Sequence, residues 1–163
     1  MAKKPKRPRA PAGAVVTAYG NTWSGVAPGS DDDVRAVEKA LGVAVGAELA
    51  AFLMTCGGGR PERAYFEGPD SQVMDLGIGY VLPLRDASRK GGLVTECTAF
   101  RDASDMDPDL IPIALDTGHA NPICVRVSTG EVVYWLHDDP DDRVRRVAPS
   151  LAALLRGLGE CPF

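Results

Sequence analysis

Apolar positions change their period along this chain, and each change predicts an element. Val34, Val37 and Leu41 recur at helical spacing after Ser30-Asp31-Asp32-Asp33. Ser30 can cap the free amides, and the aspartates suit the positive end of the helix dipole. Gly42 closes this helix. A second helix is predicted from about Gly46 to Thr55, striped by Leu49, Phe52 and Leu53. Cys56-Gly57-Gly58-Gly59 stops it, with glycine expected to supply a left-handed cap. From Arg60 the pattern turns to β, with strands expected at Ala64 to Glu67 and Gly79 to Leu84. Leu93 to Phe100 reads as a further extended segment, and Arg101 to Leu110 as a polar loop.

The stretch from Leu110 to Leu158 carries the densest signal. Ile111 to Leu115 alternates into a strand, and Asp116 to Asn121 makes a turn in which Gly118 is free to take a positive φ. Pro122 begins the next strand, where its missing donor is tolerated. Ser128-Thr129-Gly130-Glu131 connects Pro122–Val127 to Val132–His137 as a hairpin. Val133 and Trp135 fall on one face of that last strand, and Val132, Tyr134 and Leu136 on the other. One face should therefore be covered by core and the other skirted by loop. An acidic loop and Val144 and Val147 lead to a closing helix within Pro149 to Leu158, striped by Leu151, Leu154, Leu155 and Leu158. Residues 13–29 read as irregular chain with room for a short strand, and Trp23 is expected to pin it to the core. Short connections imply antiparallel pairing. The predicted class is α+β: one domain over 13–163, a largely antiparallel sheet with a C-terminal meander, packed by an N-terminal helix pair and a C-terminal helix.

Charge divides the chain. Five cations (Lys3, Lys4, Lys6, Arg7 and Arg9) precede Pro11, so a formal net charge of −4 becomes −9 without them. Residues 1–12, broken by Pro5, Pro8 and Pro11, are expected to form a disordered basic arm, read as a solvated tail ahead of a weak nucleic-acid or membrane-surface contact. The acids gather at Asp31–Asp33, Asp102–Asp109 and Asp138–Asp142. An acidic body favours basic partners over nucleic acid, although such surfaces also simply keep proteins in solution. No apolar run is long enough to span a membrane and no secretory pattern opens the chain, so the expected location is the cytoplasm.

Candidate chemistry is sparse. Three consecutive aspartates on a helix do not converge on a cation. The triple glycine follows a helix, whereas phosphate loops precede one and bring a lysine. The run through Asp102, Asp105, Asp107 and Asp109 lacks the turn glycine and flanking helices of a calcium loop. The four cysteines show no zinc spacing, and Cys124 among Val and Ile reads as a small buried hydrophobe. His119 with Asp116, or His137 with Asp138, could form an acid–base pair, and a metal held by His119, His137 and Cys124 is conceivable across a hairpin. A histidine beside an aspartate in a loop is more often a surface hydrogen-bonding group. No cofactor or metal is therefore expected, and no catalysis.

Four segments together resemble the SUKH superfamily of cell-wall-assembly-regulator-like domains: Leu49 to Gly59, Leu110 to Ala114, Gly118 to Cys124 with Thr129 to Asp138, and Val147 to Leu151 with Leu154-Leu155. The likeness covers roughly Val34 to Leu158. It implies an α+β domain that binds a protein partner without catalysis, typically as an immunity protein neutralising a cognate bacterial toxin such as a nuclease. A basic toxin surface would meet the acids. The expected contact residues are Asp102, Asp105, Asp107, Asp116, His119, Trp135, Asp138 and Asp139, with Tyr134 the other aromatic candidate and one of the two aromatics expected in the core. A regulatory scaffold, or a small hydrolase or metal enzyme built on His119 and His137, are the competing readings.

Overall fold

The computed structural model describes residues 13–163. The expected basic arm, residues 1–12, lies outside them. Strands β1 (Ala14–Ala18) and β2 (Asn21–Val26) open the described chain, followed by helices α1 (Asp31–Leu41) and α2 (Ala47–Cys56). Then come β3 (Arg60–Pro61), β4 (Tyr65–Phe66), β5 (Leu76–Val81) and helix α3 (Leu93–Ser104). The C-terminal half holds β6 (Leu110–Asp116), β7 (Pro122–Arg126), β8 (Val132–Trp135), β9 (Val144–Ala148), α4 (Leu151–Arg156) and β10 (Leu158–Gly159). The class is α+β. A seven-stranded antiparallel sheet runs β10-β4-β5-β6-β7-β8-β9, and a smaller sheet runs β1-β2-β3. Backbone bonds from Gly58 to Val81 and from Val81 to Gly59, each 2.9 Å, tie the small sheet to β5.

The first helix forms as its sequence dictates. Ser30 Oγ accepts from the Asp33 amide, and Asp33 returns a bond from the Ser30 amide at 2.8 Å. This reciprocal box satisfies two otherwise orphaned donors. Gly42 closes the helix at φ +69. Helix α2 ends differently from expectation. Its cap, Gly57, keeps a negative φ of −53, and Gly58 carries the positive one at +80. Gly57 is needed for space: a Cβ there would sit 2.6 Å from the Leu53 carbonyl oxygen.

Three further expectations are corrected. Residues 13–29 are not irregular, because β1 and β2 pair as a hairpin across Tyr19-Gly20, both at positive φ (54 and 67). Trp23 within it is fully buried and meets Phe52 edge-on at 5.7 Å. Leu93 to Phe100 is helix, not strand. Leu93, Cys97, Phe100 and Ser104 share one face at spacings of four, three and four, and that stripe outweighs the β tendency of Val94 and Thr95. In the turn after β6, His119 takes the positive φ (55) and Gly118 does not.

The meander is also longer than expected. Val144 and Val147 lie in β9, which pairs with β8, so four consecutive antiparallel strands precede the closing helix. That helix is confined to Leu151–Arg156, and Leu158 belongs to β10. Alternation along β8 divides the sheet between two cores. Val132 faces the main cluster with Ile111, Ile113 and Ile123. Val133 and Trp135 face a second cluster with Cys97, Met106, Leu110 and Cys124 beneath α3. A helix, rather than a loop, therefore covers the second face. Each large apolar side chain buried this way contributes roughly 1.5–3 kcal/mol.

Candidate functional site

The strand ends of β6 to β8 separate the predicted contact residues into two groups. At one end, the β7–β8 connection holds Arg126 at the centre of three carboxylates. Its guanidinium lies 3.3 Å from Asp107, 3.8 Å from Asp109 and 3.7 Å from Glu131. Asp109 also accepts from the amide and hydroxyl of Ser128, fastening the loop before β6 to the hairpin. Beside this end lies a mainly apolar cleft of about 490 Å³, lined by Leu49, Ile111, Val125, Val127 and Leu151 with Glu48 at its rim. Asp107 is thus committed to a structural ion cluster.

The opposite end gathers the other predicted residues. Tyr134 donates to Asp116 Oδ2 at 2.6 Å, and Asp116 Oδ1 accepts from the Ala120 amide at 2.9 Å. Asn121 reaches Tyr134 with its amide nitrogen, and its oxygen accepts from the His137 amide. His137 Nδ1 lies 2.6 Å from that same oxygen. This chain of bonds fixes the β6–β7 turn against the end of β8. Burial, and then the bond given to Asp116, push the Tyr134 phenol up to about 12. His119, exposed at the turn, sets its ring edge-on to Tyr80 at 5.1 Å. A Cβ on Gly79 would lie 2.9 Å from that imidazole and 2.3 Å from the Asp116 carbonyl oxygen, so glycine permits the close approach.

Helix α3 brings its C-terminal turn to the same end. Phe100 faces His137 with ring centroids 6.4 Å apart, and Trp135 donates from Nε1 to Ser104 Oγ at 3.0 Å. Arg143 donates to the Ser104 carbonyl and lies over the Trp135 ring at 5.7 Å. Trp135 is 5% exposed. It is a core residue whose polar edge is satisfied internally, which corrects its expected place on a contact surface. Tyr134, half-buried, is the aromatic nearer the rim.

The acids at this end are unequal. Asp139 accepts from the amides of Asp141 and Asp142, and Arg145 lies 3.5 Å from Asp139 and 2.7 Å from Asp142. Asp102, Asp105, Asp138 and Asp141 are exposed, and no cation among the described residues stands within 4.0 Å of them. Asp105 caps α3 at φ 52, which aims the chain outward before Met106 turns back into the core. The β8–β9 loop and the close of α3 can therefore present negative charge to a partner.

Neither histidine lies within 4.0 Å of a carboxylate, and the described residues hold no group of three or more His, Cys, Asp or Glu placed to ligate a metal. Cys124, fully buried, has its thiol held well above the usual range by desolvation, and its sulfur contacts Met106 at 3.9 Å. His119 and His137 meet different neighbours, Tyr80 and Asn121. No helix of the described residues is long and apolar enough to cross a membrane.

The fold is an α+β domain in which helix α3 and the main core cover the two faces of the sheet. The family comparison gives the particular class. The SMI1 / KNR4 family (SUKH-1) matches residues 28–157, most of the chain, and the chain belongs to that family. Its members are commonly immunity proteins and generally non-catalytic. No curated protein matches the sequence.

Proposed function

We propose that this chain is an immunity protein that neutralises a cognate bacterial toxin in the cytoplasm by direct binding and occlusion. The toxin, a nuclease or another enzyme with a cationic substrate groove, would dock against the end formed by the β6–β7 turn, the β8–β9 loop and the end of α3. One observation carries this choice: Asp138 and Asp141 of the β8–β9 loop, and Asp102 and Asp105 at the close of α3, remain exposed with no cation within 4.0 Å among the described residues, while Arg126 gathers Asp107, Asp109 and Glu131. Complementary charge of this kind speeds encounter and selects partners more than it adds affinity. Asp116, His119 and Asp139 flank the patch. Their positions are set by bonds to Tyr134, by packing on Tyr80 and by pairing with Arg145.

The test is co-expression with the protein encoded by the adjacent gene. Recovery of growth from that protein's toxicity, together with a stable complex on purification, is the expected result. Failure to bind or protect against any neighbour-encoded toxin domain would count against the proposal. Rescue that requires a small molecule turned over by His119 or His137 would replace it with an enzymatic function.

A further inference from the structure

Natural sheet edges are usually blocked by charge, proline or a bulge, because their unpaired backbone groups invite another strand. Strand β1 carries none of these on its outer side. No charged residue stands anywhere between Arg9 and Asp31, in a chain that is 25% charged. The bulge in the β1–β2 hairpin falls on β2, where Gly25 at φ +75 lets Ala14 pair with Val26 while Val16 pairs with Trp23. Strand β1 itself stays regular. It ends the order β1-β2-β3, and no strand among the described residues pairs with its outer edge. Val16 and Ala18 pack toward the core, while Val15 stands 68% exposed and Thr17 is exposed beside it. The hairpin also lies before residue 28, where the family match begins.

We propose that β1 pairs antiparallel with β1 of a second copy, joining two three-stranded sheets into one of six strands about a two-fold axis at Val16. This register sets Ala14 opposite Ala18 of the other copy and Val15 opposite Thr17. Short β-branched residues pair well across strands at such positions. Charge selects a second copy as the occupant. In the sequence five cations, Lys3 to Arg9, precede Ala14, which antiparallel pairing sets beside the β1–β2 turn of the other copy. There Glu62 and Glu160, against Arg63, line a cleft of about 320 Å³ together with Thr17, Gly20 and Asn21. The sequence before β1 carries +5 and the rest of the chain −9. Five residues of ladder form a small interface, so assembly depends on concentration.

Sedimentation equilibrium of the full chain tests this directly. Wild type should move from monomer toward dimer as concentration rises. Val15→Lys with Thr17→Lys should be monomeric, and so should Val15→Glu with Thr17→Glu, because each places like charges opposite one another. An equimolar mixture of the two variants should recover a heterodimer, since each lysine then faces a glutamate; that recovery also shows both variants folded. A wild-type chain that stays monomeric to about 1 mM would overturn the proposal. So would a double-lysine variant that still dimerises, or a mixture that stays monomeric.

Discussion

The two ends of the meander use their acidic residues in opposite ways. At the Arg126 end, Asp107, Asp109 and Glu131 converge on one guanidinium, and Asp109 also anchors Ser128. Those carboxylates hold a loop to a hairpin. At the Tyr134 end, Asp116 and Asp139 are bound internally, while Asp138 and Asp141, with Asp102 and Asp105 at the close of α3, face solvent with no cation among the described residues within 4.0 Å. An acidic run in a sequence therefore does not define an acidic surface. The field a partner meets depends on which carboxylates the fold has already neutralised.

Substitutions can break this contrast, beginning with the side chain that supports the open end from below. Trp135→Ala should cost about 3–5 kcal/mol, because it empties a buried aromatic site and removes the bond that Nε1 donates to Ser104 Oγ. Urea unfolding would measure it. A loss below 1 kcal/mol would return Trp135 to the surface role first expected of it. Arg126→Ala leaves three partly exposed carboxylates facing one another, so a loss of about 1–2 kcal/mol is expected, shrinking in high salt. Thermal melts at two ionic strengths would detect it. A salt-independent loss would mean that Arg126 acts through packing alone.

Tyr134→Phe removes the bond to Asp116 and should cost about 1 kcal/mol near neutrality. It also has a signature in pH. The phenol titrates at 10.0 when unperturbed and is raised to about 12 in the fold, so the neutral form is the one stabilised. That contribution is complete below about pH 10 and is lost as pH climbs toward 12. Melting temperatures between pH 9 and 12 should fall less steeply in Tyr134→Phe than in wild type. Cys56, raised by burial from 9.0 to about 12, contributes a loss of the same sign in both proteins. Equal slopes would rule out the Tyr134–Asp116 bond as the source. Smallest in stability is the double change Asp138→Asn with Asp141→Asn, expected to stay within about 0.5 kcal/mol of wild type by urea unfolding. A larger loss would place these two carboxylates in a structural network like that of Arg126.

The same contrast marks what the sequence could reveal. Local signals were legible: Ser30 and Asp33 form their capping box, Pro122 opens β7, and Cys124 is buried. The errors arose where local preference and tertiary packing disagree. Val94 and Thr95 favour strand, but the stripe from Leu93 to Ser104 packs as a helix over Cys124 and Trp135. The β1–β2 hairpin was missed because its turn is Tyr19-Gly20, and tyrosine at positive φ is a rare turn residue. Similarly, His119 rather than Gly118 takes the left-handed conformation, because its ring is held against Tyr80. The ion cluster at Arg126 could not be read from spacing, since Asp107 lies 19 residues away in the chain. The sequence supplied candidate acids; strand register decided which were consumed.

The most direct measurement is the association rate with the partner recovered in the co-expression test, followed by stopped flow across a salt series. Asp102→Asn, Asp105→Asn, Asp138→Asn and Asp141→Asn together should slow association about tenfold at low salt and flatten its salt dependence. Asp107→Asn with Asp109→Asn should leave the rate nearly unchanged. The reverse pattern, with the Arg126 end governing the rate and the four exposed aspartates silent, would contradict the assignment of the docking surface.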